Sequence, residues 1–492
     1  MHRPLRLQQA RHAVIRRRDV NMLEGSPFIK ILLFALPLMA VNLLQSLYNA
    51  ADMMVVSLSS APDAVGAVGV TSSFLNLMLN LFVGFSAGAN VVAARCNGAG
   101  DEKGISRTVH TAICMAGIFG VGAMVVGMLL ARPIYTMMGN GGTLLELSLL
   151  YSYIYFAGMP FLALTNYASA LLHAKGDTRT PFYVLSATGV LNVGLNLLFV
   201  LVLDMTVDGV ALATSIANAV SAFVLLWRLS RAEGGFRFRL RHLRIDRAVF
   251  REVVRIGVPA GIQSSMFSIS NMLIHSSVLQ INAAVTPAGA AYAPVIKGSG
   301  AAQNIETFAY AGCNAVTNAA ITFTSCHVGA KKEKRLPRVM LSYYLATLLL
   351  VVLTVLPLWL CRNPLLSLYG IKPIAGDAVS VIAYETAITR MEIILGTFLL
   401  VAFMNVSGGV LRGFGFSLTP MLINVVSVCG IRVLWVFTVF RWYPTFAALY
   451  LSYPVTWAIT FAVMLVIGIA AVKHRIRRRQ QESAETVEET GV

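Results

Sequence analysis

Long apolar segments separated by short polar loops make up almost the whole of this 492-residue chain. Each segment holds roughly 20 or more mostly apolar residues, the length that an α-helix needs to cross a hydrocarbon core of about 30 Å. Twelve such spans, numbered 1 to 12 along the chain, are predicted at 28–57, 64–94, 107–131, 144–172, 181–203, 209–228, 255–283, 289–326, 336–361, 378–411, 418–440 and 445–471. The pattern predicts an all-α polytopic membrane protein with twelve transmembrane helices.

The longest polar interruption, from Arg228 to Arg255, divides the spans into two sets of six. Two pairs of loops resemble each other across this division: GAGDEKG after span 2 and GAKKEKR after span 8, and GDTRTP before span 5 and GFGFSLTP before span 11. Since each set has an even number of crossings, both begin on the same side, as in parallel repeats related by an axis along the membrane normal. Short basic loops also resemble one another without a repeat, and that alternative stays open at this point.

Basic side chains set the orientation, because Lys and Arg concentrate in loops that stay in the cytoplasm. With both termini inside, 32 of the 39 Lys and Arg residues fall on the cytoplasmic side. The predicted segments are a cytoplasmic basic segment (1–27), an N-terminal six-helix lobe (28–228), a cytoplasmic basic linker (229–254), a C-terminal six-helix lobe (255–471) and a cytoplasmic tail (472–492). The net charge of +17 is therefore spread over many loops as anchoring charge, and no nucleic-acid partner is expected.

The composition excludes a soluble globular protein. The chain is 57% hydrophobic and 12% charged, with a mean hydropathy of +0.71, whereas charged residues make up about a quarter of a soluble domain. The six cysteines include no CxxC pair, so packing is their expected role and no disulfide framework or metal site is predicted. The first span is too long for a signal peptide, so it is expected to remain in the mature protein.

One carboxylate, Asp52, lies inside the first apolar span, where burial of a charge is costly unless it is compensated. Gln45 lies seven residues earlier, two helical turns away and therefore on the same face, with Tyr48 and Asn49 between them. A permanent ion pair is the structural alternative, but no Lys or Arg lies near this depth in spans 1 to 6. A functional role for Asp52 is the favoured interpretation.

Three strings together carry a family resemblance: LPLMAVNLLQSLYNAADMMVV, HAKGDTRTPFYVLSATGVLNVGLNLLFV and GGVLRGFGFSLTP. In their order and spacing the chain resembles the multidrug and toxic compound extrusion (MATE) family of secondary transporters, over residues 26–470. The resemblance implies two pseudo-symmetric six-helix lobes around a central cleft in a bacterial plasma membrane. It also implies export of cationic amphipathic compounds in exchange for Na+ or H+.

The resemblance further implies a cation-responsive site in the N-terminal lobe. Its positions correspond here to Gln45, Asp52, Tyr151, Asn192, Asn196 and Thr214. At a rise of 1.5 Å per residue, four of these side chains lie about 8–10 Å from the outer ends of their helices, in one layer. Oxygens of Asp52, Asn192, Asn196 and Thr214 suit a hard cation such as Na+, and the carboxylate suits a proton equally well. No cofactor is expected, because the coupling ion is itself transported.

The sequence departs from some relatives, which place a second acid where this chain has Asn196. Asp52 is therefore the one acidic side chain of the predicted site. Pro37, fifteen residues before Asp52, removes a helix hydrogen bond and is the predicted bend point of span 1. The structural alternatives are interhelical hydrogen bonds for the two asparagines and an interfacial anchor for Tyr151.

The C-terminal lobe has no copy of Asp52, but its spans carry other polar and charged residues. Span 7 carries Gln263, Asn271 and His275, span 8 carries Lys297, Gln303 and Glu306, span 10 carries Glu385, Arg390 and Glu392, and span 11 carries Arg432. A structural Lys/Glu or Arg/Glu pair is the favoured interpretation, because charges inside a membrane usually pair or line a watery cavity. Contact of Glu306 or Glu392 with a cationic substrate is the alternative. His275 is expected to be a hydrogen-bonded structural residue.

The combined prediction is a monomeric secondary antiporter, embedded in membrane lipid, that exports cationic amphipathic compounds by alternating access of its lobes. A lipid-linked oligosaccharide flippase of the same superfamily is the alternative, but that function favours a cationic cavity, and the N-terminal lobe carries a carboxylate. No HExxH motif, phosphate-binding loop or nucleophile with a base is found, so no enzymatic activity is expected. A structural or receptor role would leave the polar layer unexplained.

Overall fold

The computed structural model describes residues 20–57, 64–138, 141–287, 290 and 292–490, and all regular structure in these ranges is helical. Spans 1 to 6 are Pro27–Ser57, Ala64–Ala99, Glu102–Met137, Gly142–Ala157 with Met159–Lys175, Arg179–Leu197 with Leu198–Val202, and Val207–Ser230. Spans 7 to 12 are Arg247–Val285, Pro294–Gly329, Leu336–Leu360, Ala378–Gly396 with Phe398–Gly413, Leu418–Asn424 with Val425–Gly430, Ile431–Phe437 and Val439–Trp442, and Phe446–Thr490. The all-α prediction is confirmed. Most of the predicted N-terminal segment (1–27) lies outside the described residues.

Eight of the described helices are long and apolar enough to cross a membrane, and ten are if each of two bent pairs counts as one span. The other two predicted spans are the helices Arg247–Val285 and Pro294–Gly329, which carry several of the polar residues named above. The helical part of span 7 begins eight residues before the predicted start at 255.

Spans 4 and 10, which occupy corresponding places in the two halves, are each broken into two helices. The axes differ by 47° in span 4 and by 46° in span 10. In span 4, Gly158 separates the helices and Pro160, which lacks an N–H group, lies in the first turn of the second. In span 10 the first helix ends at Gly396. The matching breaks favour a true repeat over a chance similarity of basic loops.

Spans 5 and 11 each contain a π-helical segment, Leu198–Val202 and Val425–Gly430. A π-helix bonds residue i to i+5, so such a segment accommodates one more residue than an α-helical turn, and it is frequent at functional sites. In span 5 the segment follows Asn196, and in span 11 it precedes Arg432.

The chain forms two compact units. The first unit contains Met1–Glu24 and Ala40–Gly261, and the second unit contains Gly25–Met39 and Ile262–Val492. Spans 1 and 7 are therefore each divided between the units. Pro37 lies two residues before the division of span 1, and Pro259 lies two residues before the division of span 7.

Within the first unit, spans 2 and 7 pack backbone against backbone. A Cβ atom on Gly84 would lie 2.2 Å from the Gly261 nitrogen, and one on Gly88 would lie 2.5 Å from the Val253 oxygen. Small residues permit such close approach of helices in a membrane, where van der Waals contact rather than water exclusion drives association.

The predicted linker (229–254) is not a free tether but docks on span 3 of the first unit. The Gly235 N–H donates to the Glu102 carboxylate. The Arg239 N–H donates to His110 Nε2 at 3.2 Å, and the Asp246 N–H donates to the Thr111 hydroxyl at 3.0 Å. These contacts satisfy backbone groups of the linker that would otherwise depend on water. The last residues assigned to the linker, from 247 on, belong to span 7.

Candidate functional site

Spans 1 and 5 meet where Tyr48 packs against Gly189. The Tyr48 hydroxyl donates to the Ser186 carbonyl at 3.1 Å, and a Cβ atom on Gly189 would lie 1.9 Å from the tyrosine ring. Glycine is required here because any side chain would occupy the space of the ring. Asp52 lies one turn beyond Tyr48 and Asn192 one turn beyond Gly189, so this contact brings the carboxylate to the amide.

Asp52 is hydrogen-bonded by two asparagine side chains of span 5. Asn196 Nδ2 donates to Asp52 Oδ1. In the amide orientation that satisfies both of its neighbours, Asn192 donates to the same oxygen at 3.0 Å and accepts from the Thr214 hydroxyl at 3.2 Å. Within the described ranges, no Lys or Arg nitrogen lies within 4.0 Å of an Asp52 oxygen. Neutral donors alone therefore bind this carboxylate.

One oxygen beside Asp52 lacks a donor. Asn196 is fully buried, and its Oδ1 atom has no hydrogen-bond partner among the described residues. A buried polar atom left unpaired costs about 1–3 kcal/mol. A hard cation would satisfy this oxygen, and the Asp52 carboxylate and the Thr214 hydroxyl would supply further oxygen ligands. The residues present therefore fit Na+, and the carboxylate fits a proton.

The other two predicted members of this site are placed differently. Among the described residues, no hydrogen bond joins Tyr151 or Gln45 to Asp52. Tyr151 is buried, and its ring stacks on Tyr155 with the centroids 6.0 Å apart. Gln45 is exposed. Hydrogen bonds thus join Asp52, Asn192, Asn196 and Thr214, and they leave Tyr151 and Gln45 outside.

The second unit holds the buried Glu306 carboxylate in an ion pair. Arg390 Nε and Nη2 donate to the two oxygens of Glu306, both at 2.9 Å. Arg390 Nη1 donates to the Ser299 hydroxyl at 3.0 Å and to the Tyr450 hydroxyl at 2.9 Å. Sequence reasoning did not identify Ser299 or Tyr450, because a hydroxyl on an apolar helix carries no signal until its partner is placed.

Three further predicted charges lie in exposed positions. Glu392 is half exposed and 3.7 Å from the Arg362 guanidinium. Lys297 donates to the Gly370 carbonyl at 3.4 Å, and its ammonium lies 4.4 Å from the centre of the Tyr292 ring. Glu385 is exposed. The structure therefore joins Glu306 to Arg390 and does not bring Lys297 or Glu392 to that pair.

Polar side chains of span 7 also find partners within the second unit. His275 Nε2 lies 3.2 Å from Gln303 Oε1, at an exposed position. Gln263 Oε1 accepts from Arg412 Nη2 at 2.7 Å. The sequence prediction places Arg412 in a cytoplasmic loop, but the second helix of span 10 extends to Gly413 and includes it.

A family profile described as MatE matches residues 37–198 and 259–438, which is most of the chain. The chain belongs to the MatE family. The two matches fall on spans 1–5 and 7–11, one in each half. MatE proteins are transporters, so family membership and the apolar helices together identify a multi-pass membrane transporter.

Two relatives that this MatE protein resembles are named for multidrug resistance and for transport of FAD. It is 26% identical over 415 residues to the probable multidrug resistance protein YoeA of Bacillus subtilis. The matched region covers 82% of this chain and 84% of YoeA. It is 21% identical over 370 residues to the FAD transporter of Shewanella oneidensis. The matched region covers 72% of this chain and 77% of that transporter.

A solved structure confirms the fold. The outward-facing conformation of a multidrug resistance MATE family transporter matches with a TM-score of 0.83 and 19% identity, over 94% of this chain and 99% of that one. At this identity the likeness concerns the fold alone, which is the twelve-helix fold of MATE transporters.

Proposed function

We propose that this chain is a secondary antiporter that exports drug-like cationic amphipathic compounds in exchange for Na+ or H+. The observation that supports it most is Asp52, a carboxylate within span 1 that, among the described residues, only neutral amides bind, beside an amide oxygen with no partner among them. A carboxylate inside a membrane that has no fixed counter-charge is suited to bind a mobile cation. Uptake and release of a cation at Asp52 would change the charge of the first unit once per cycle.

The energy for export comes from an ion gradient. Binding of Na+ or H+ at Asp52 from outside favours release of the substrate, and release of the ion inside resets the carrier, in an alternating-access cycle. Span 1 passes from the second unit to the first just after Pro37, so a bend at this proline would couple the occupancy of Asp52 to the position of the helix.

The sign of the substrate charge is part of the proposal, because the family does not fix it. YoeA is named for multidrug resistance, whereas the Shewanella relative is named for FAD, an anionic dinucleotide. The negative charge of Asp52 favours a cationic compound that competes with the coupling ion. Neither name supports the flippase alternative.

The distribution of basic residues supports a further part of the proposal, the orientation in the membrane. The protein lies in the bacterial inner membrane with both termini in the cytoplasm, surrounded by lipid. It acts as a monomer, without a resident cofactor, a nucleic-acid partner or an enzymatic activity.

The deciding experiment is efflux of a fluorescent cationic dye from proteoliposomes, under a Na+ gradient and a pH gradient imposed separately. Asp52→Asn keeps the shape of the side chain but removes the charge, and it should abolish gradient-driven efflux. The gradient that drives the wild type identifies the coupling ion. Glu146→Gln is the matched control, because Glu146 is an exposed acid of span 4 in the same unit, and it should leave efflux unchanged.

Two results would contradict the proposal. Equal efflux by Asp52→Asn and the wild type would remove Asp52 from the coupling mechanism. No dye movement under either gradient, with folded wild-type protein, would favour the flippase over the drug antiporter.

A further inference from the structure

Arg432 of span 11 is a buried cation that has no acidic partner among the described residues. The residue is 2% exposed. Its Nη1 atom reaches the Ser270 hydroxyl at 3.5 Å and Asn271 Oδ1 at 3.3 Å, and its Cζ atom lies 4.0 Å from the centre of the Tyr453 ring. The Nε atom is buried and has no hydrogen-bond partner among the described residues.

These contacts do not compensate the charge. Hydrogen bonds from N–H to oxygen are ordinarily about 2.7–3.2 Å long, so both contacts of Nη1 are long. Arg390 in the same unit shows the contrast, since its four hydrogen bonds are 2.9–3.0 Å long and two of them reach the Glu306 carboxylate. Within the described ranges no carboxylate oxygen lies within 4.0 Å of Arg432. Burial of an unpaired guanidinium within a membrane span costs free energy, and such residues are usually functional.

The position of Arg432 in the repeat corresponds to that of Asn192. Asn192 lies eleven residues after Pro181, and Arg432 lies twelve residues after Pro420. The π-helical segment Val425–Gly430 lies between Pro420 and Arg432 and accommodates the extra residue. The second unit therefore places a cation where the first unit has an amide that binds Asp52.

The partner of Arg432 follows the same correspondence. Asn271 lies twelve residues after Pro259, as Asn49 lies twelve residues after Pro37, one turn from Asp52. In each half of the chain, the span that contains this proline contacts the span that follows a Thr-Pro pair, Thr180–Pro181 or Thr419–Pro420. The charged group at this contact is a carboxylate in the first half and a guanidinium in the second.

We propose that Arg432, Ser270 and Asn271 form a binding site for the carboxylate or phosphate group of a small organic anion. A guanidinium binds such a group through two parallel N–H donors, and Nε, which is unpaired here, is one of the donors that it uses. The Ser270 hydroxyl can turn to donate a further hydrogen bond. This site goes beyond the proposed antiport, which assigns no role to Arg432, Ser270 or Asn271.

The depth of Arg432 favours a solute over the head group of a lipid. The residue lies fourteen residues after Leu418 and ten before Trp442, the ends of span 11. At 1.5 Å per residue these separations are about 21 and 15 Å, so the guanidinium lies near the middle of the span. A phosphate at the surface of the bilayer does not reach this level.

The test compares binding of three probes that share one ring system: 1-naphthoate, the neutral 1-naphthamide and the cationic 1-naphthylmethylamine. Binding to the purified full chain in neutral detergent is measured by equilibrium dialysis, without any gradient, so failure of the antiport proposal would not affect the result. Naphthoate should bind more tightly than the other two. Because a charge-assisted hydrogen-bond pair is lost, Arg432→Gln should weaken naphthoate binding by about tenfold or more and leave naphthamide unchanged.

Arg441→Gln is the matched control. It removes the same charge from the outer end of the same span, where Arg441 is exposed, and it should leave naphthoate binding unchanged. Equal binding of naphthoate and naphthamide, or equal losses in the two variants, would overturn the proposal. Binding of phosphatidylglycerol in nanodiscs that is lost in Arg432→Gln, together with no binding of naphthoate, would overturn the assignment to a solute.

A second measurement needs no variant. The Cys429 thiol is half-buried and donates to the Met266 carbonyl at 3.4 Å, one turn from Ser270. Naphthoate should slow alkylation of Cys429 by N-ethylmaleimide in the wild type, as read by mass spectrometry. The exposed Cys361 should not be protected. Absence of protection at Cys429, or equal protection by naphthamide, would overturn the proposal even where Arg432→Gln fails to fold.

Discussion

The two units hold the carboxylates of Asp52 and Glu306 in opposite ways. In the first unit, Asp52 receives hydrogen bonds from Asn192 and Asn196 and meets no Lys or Arg within 4.0 Å among the described residues. In the second unit, Glu306 is bound at both oxygens by Arg390. The same chemical group is therefore bound by neutral amides in one unit and by a guanidinium in the other.

The balance of charge also differs in sign. The second unit buries Arg432 and largely buries Arg412 in addition to the Arg390 pair, and their partners Gln263, Ser270 and Asn271 are neutral. A repeat can keep its helix geometry while its polar positions diverge, because the helices pack through apolar and small residues. The role of a charged residue in this fold is then decided by its neighbours rather than by its type.

The largest expected effect comes from removing one charge in each unit and comparing stability. Glu306→Gln leaves Arg390 buried without its counter-ion and should cost about 3–5 kcal/mol. Asp52→Asn removes a charge that no cation balances, so it should change the free energy of unfolding by less than about 1 kcal/mol. The melting temperature of each purified variant in Na+-free detergent solution measures the difference.

The control for this comparison is the double variant Glu306→Gln with Arg390→Gln. It should recover part of the lost stability, because no unpaired charge remains. A loss in Asp52→Asn as large as that in Glu306→Gln would show that Asp52 is also a structural charge.

A smaller effect is expected where spans 1 and 5 meet. Gly189→Ala would place a methyl group 1.9 Å from the Tyr48 ring, and such overpacking typically costs about 1–3 kcal/mol. The ring and span 1 must shift, so Na+- or H+-driven efflux should fall together with the melting temperature. Dye efflux and thermal unfolding of the same preparation measure both.

Gly194→Ala is the matched control in the same helix, because no atom lies within 4 Å of the position that its methyl group would occupy. It should leave efflux and stability close to those of the wild type. Equal effects of the two substitutions would indicate that the helix needs glycine for its backbone rather than for the contact with Tyr48.

The fold was accessible from the sequence because it depends on a one-dimensional pattern, the length of the apolar spans. Asp52 stood out as an acid inside an apolar span, whereas Asn192, Asn196 and Thr214 came from the family resemblance, with depth along the helices as a check. Tyr151 shares that depth, and its ring stacks on Tyr155, but among the described residues no hydrogen bond joins it to Asp52. Depth along a helix does not determine which neighbour a side chain meets.

Other features depend on contacts that have no linear signal. The Tyr48–Gly189 contact and the Gln263–Arg412 hydrogen bond join residues more than 130 positions apart. The sequence also placed a boundary at the polar interruption, but Glu102 and other residues of span 3 hold that segment against the first unit. Polar composition identifies a segment outside the membrane and does not show where it docks.

The smallest expected effect tests whether the linker belongs to the first unit. Asp246 accepts hydrogen bonds from the Val249 and Ala248 N–H groups, at 3.1 and 2.9 Å, and lies 3.6 Å from the Arg107 guanidinium. The hydrogen bond from the Val249 N–H makes the largest contribution to lowering the pKa of Asp246 below its ordinary value of 3.8. The stabilisation is therefore present above pH 3.8 and is lost as the pH falls through the lower pKa of the folded state.

Asp246→Asn should accordingly raise amide hydrogen exchange slightly at pH 7 at Ala248 and Val249, whose N–H groups donate to Asp246, and in residues 235–246 before them, with no change in the second unit. The difference from the wild type should shrink as the pH falls below the pKa of the folded state. Arg107→Gln is the control, since it removes the ion pair but keeps the Val249 hydrogen bond and should have the smaller effect. A change in exchange that reaches the second unit would show that the linker is not held by the first unit alone, and the comparison between the units would then have to include it.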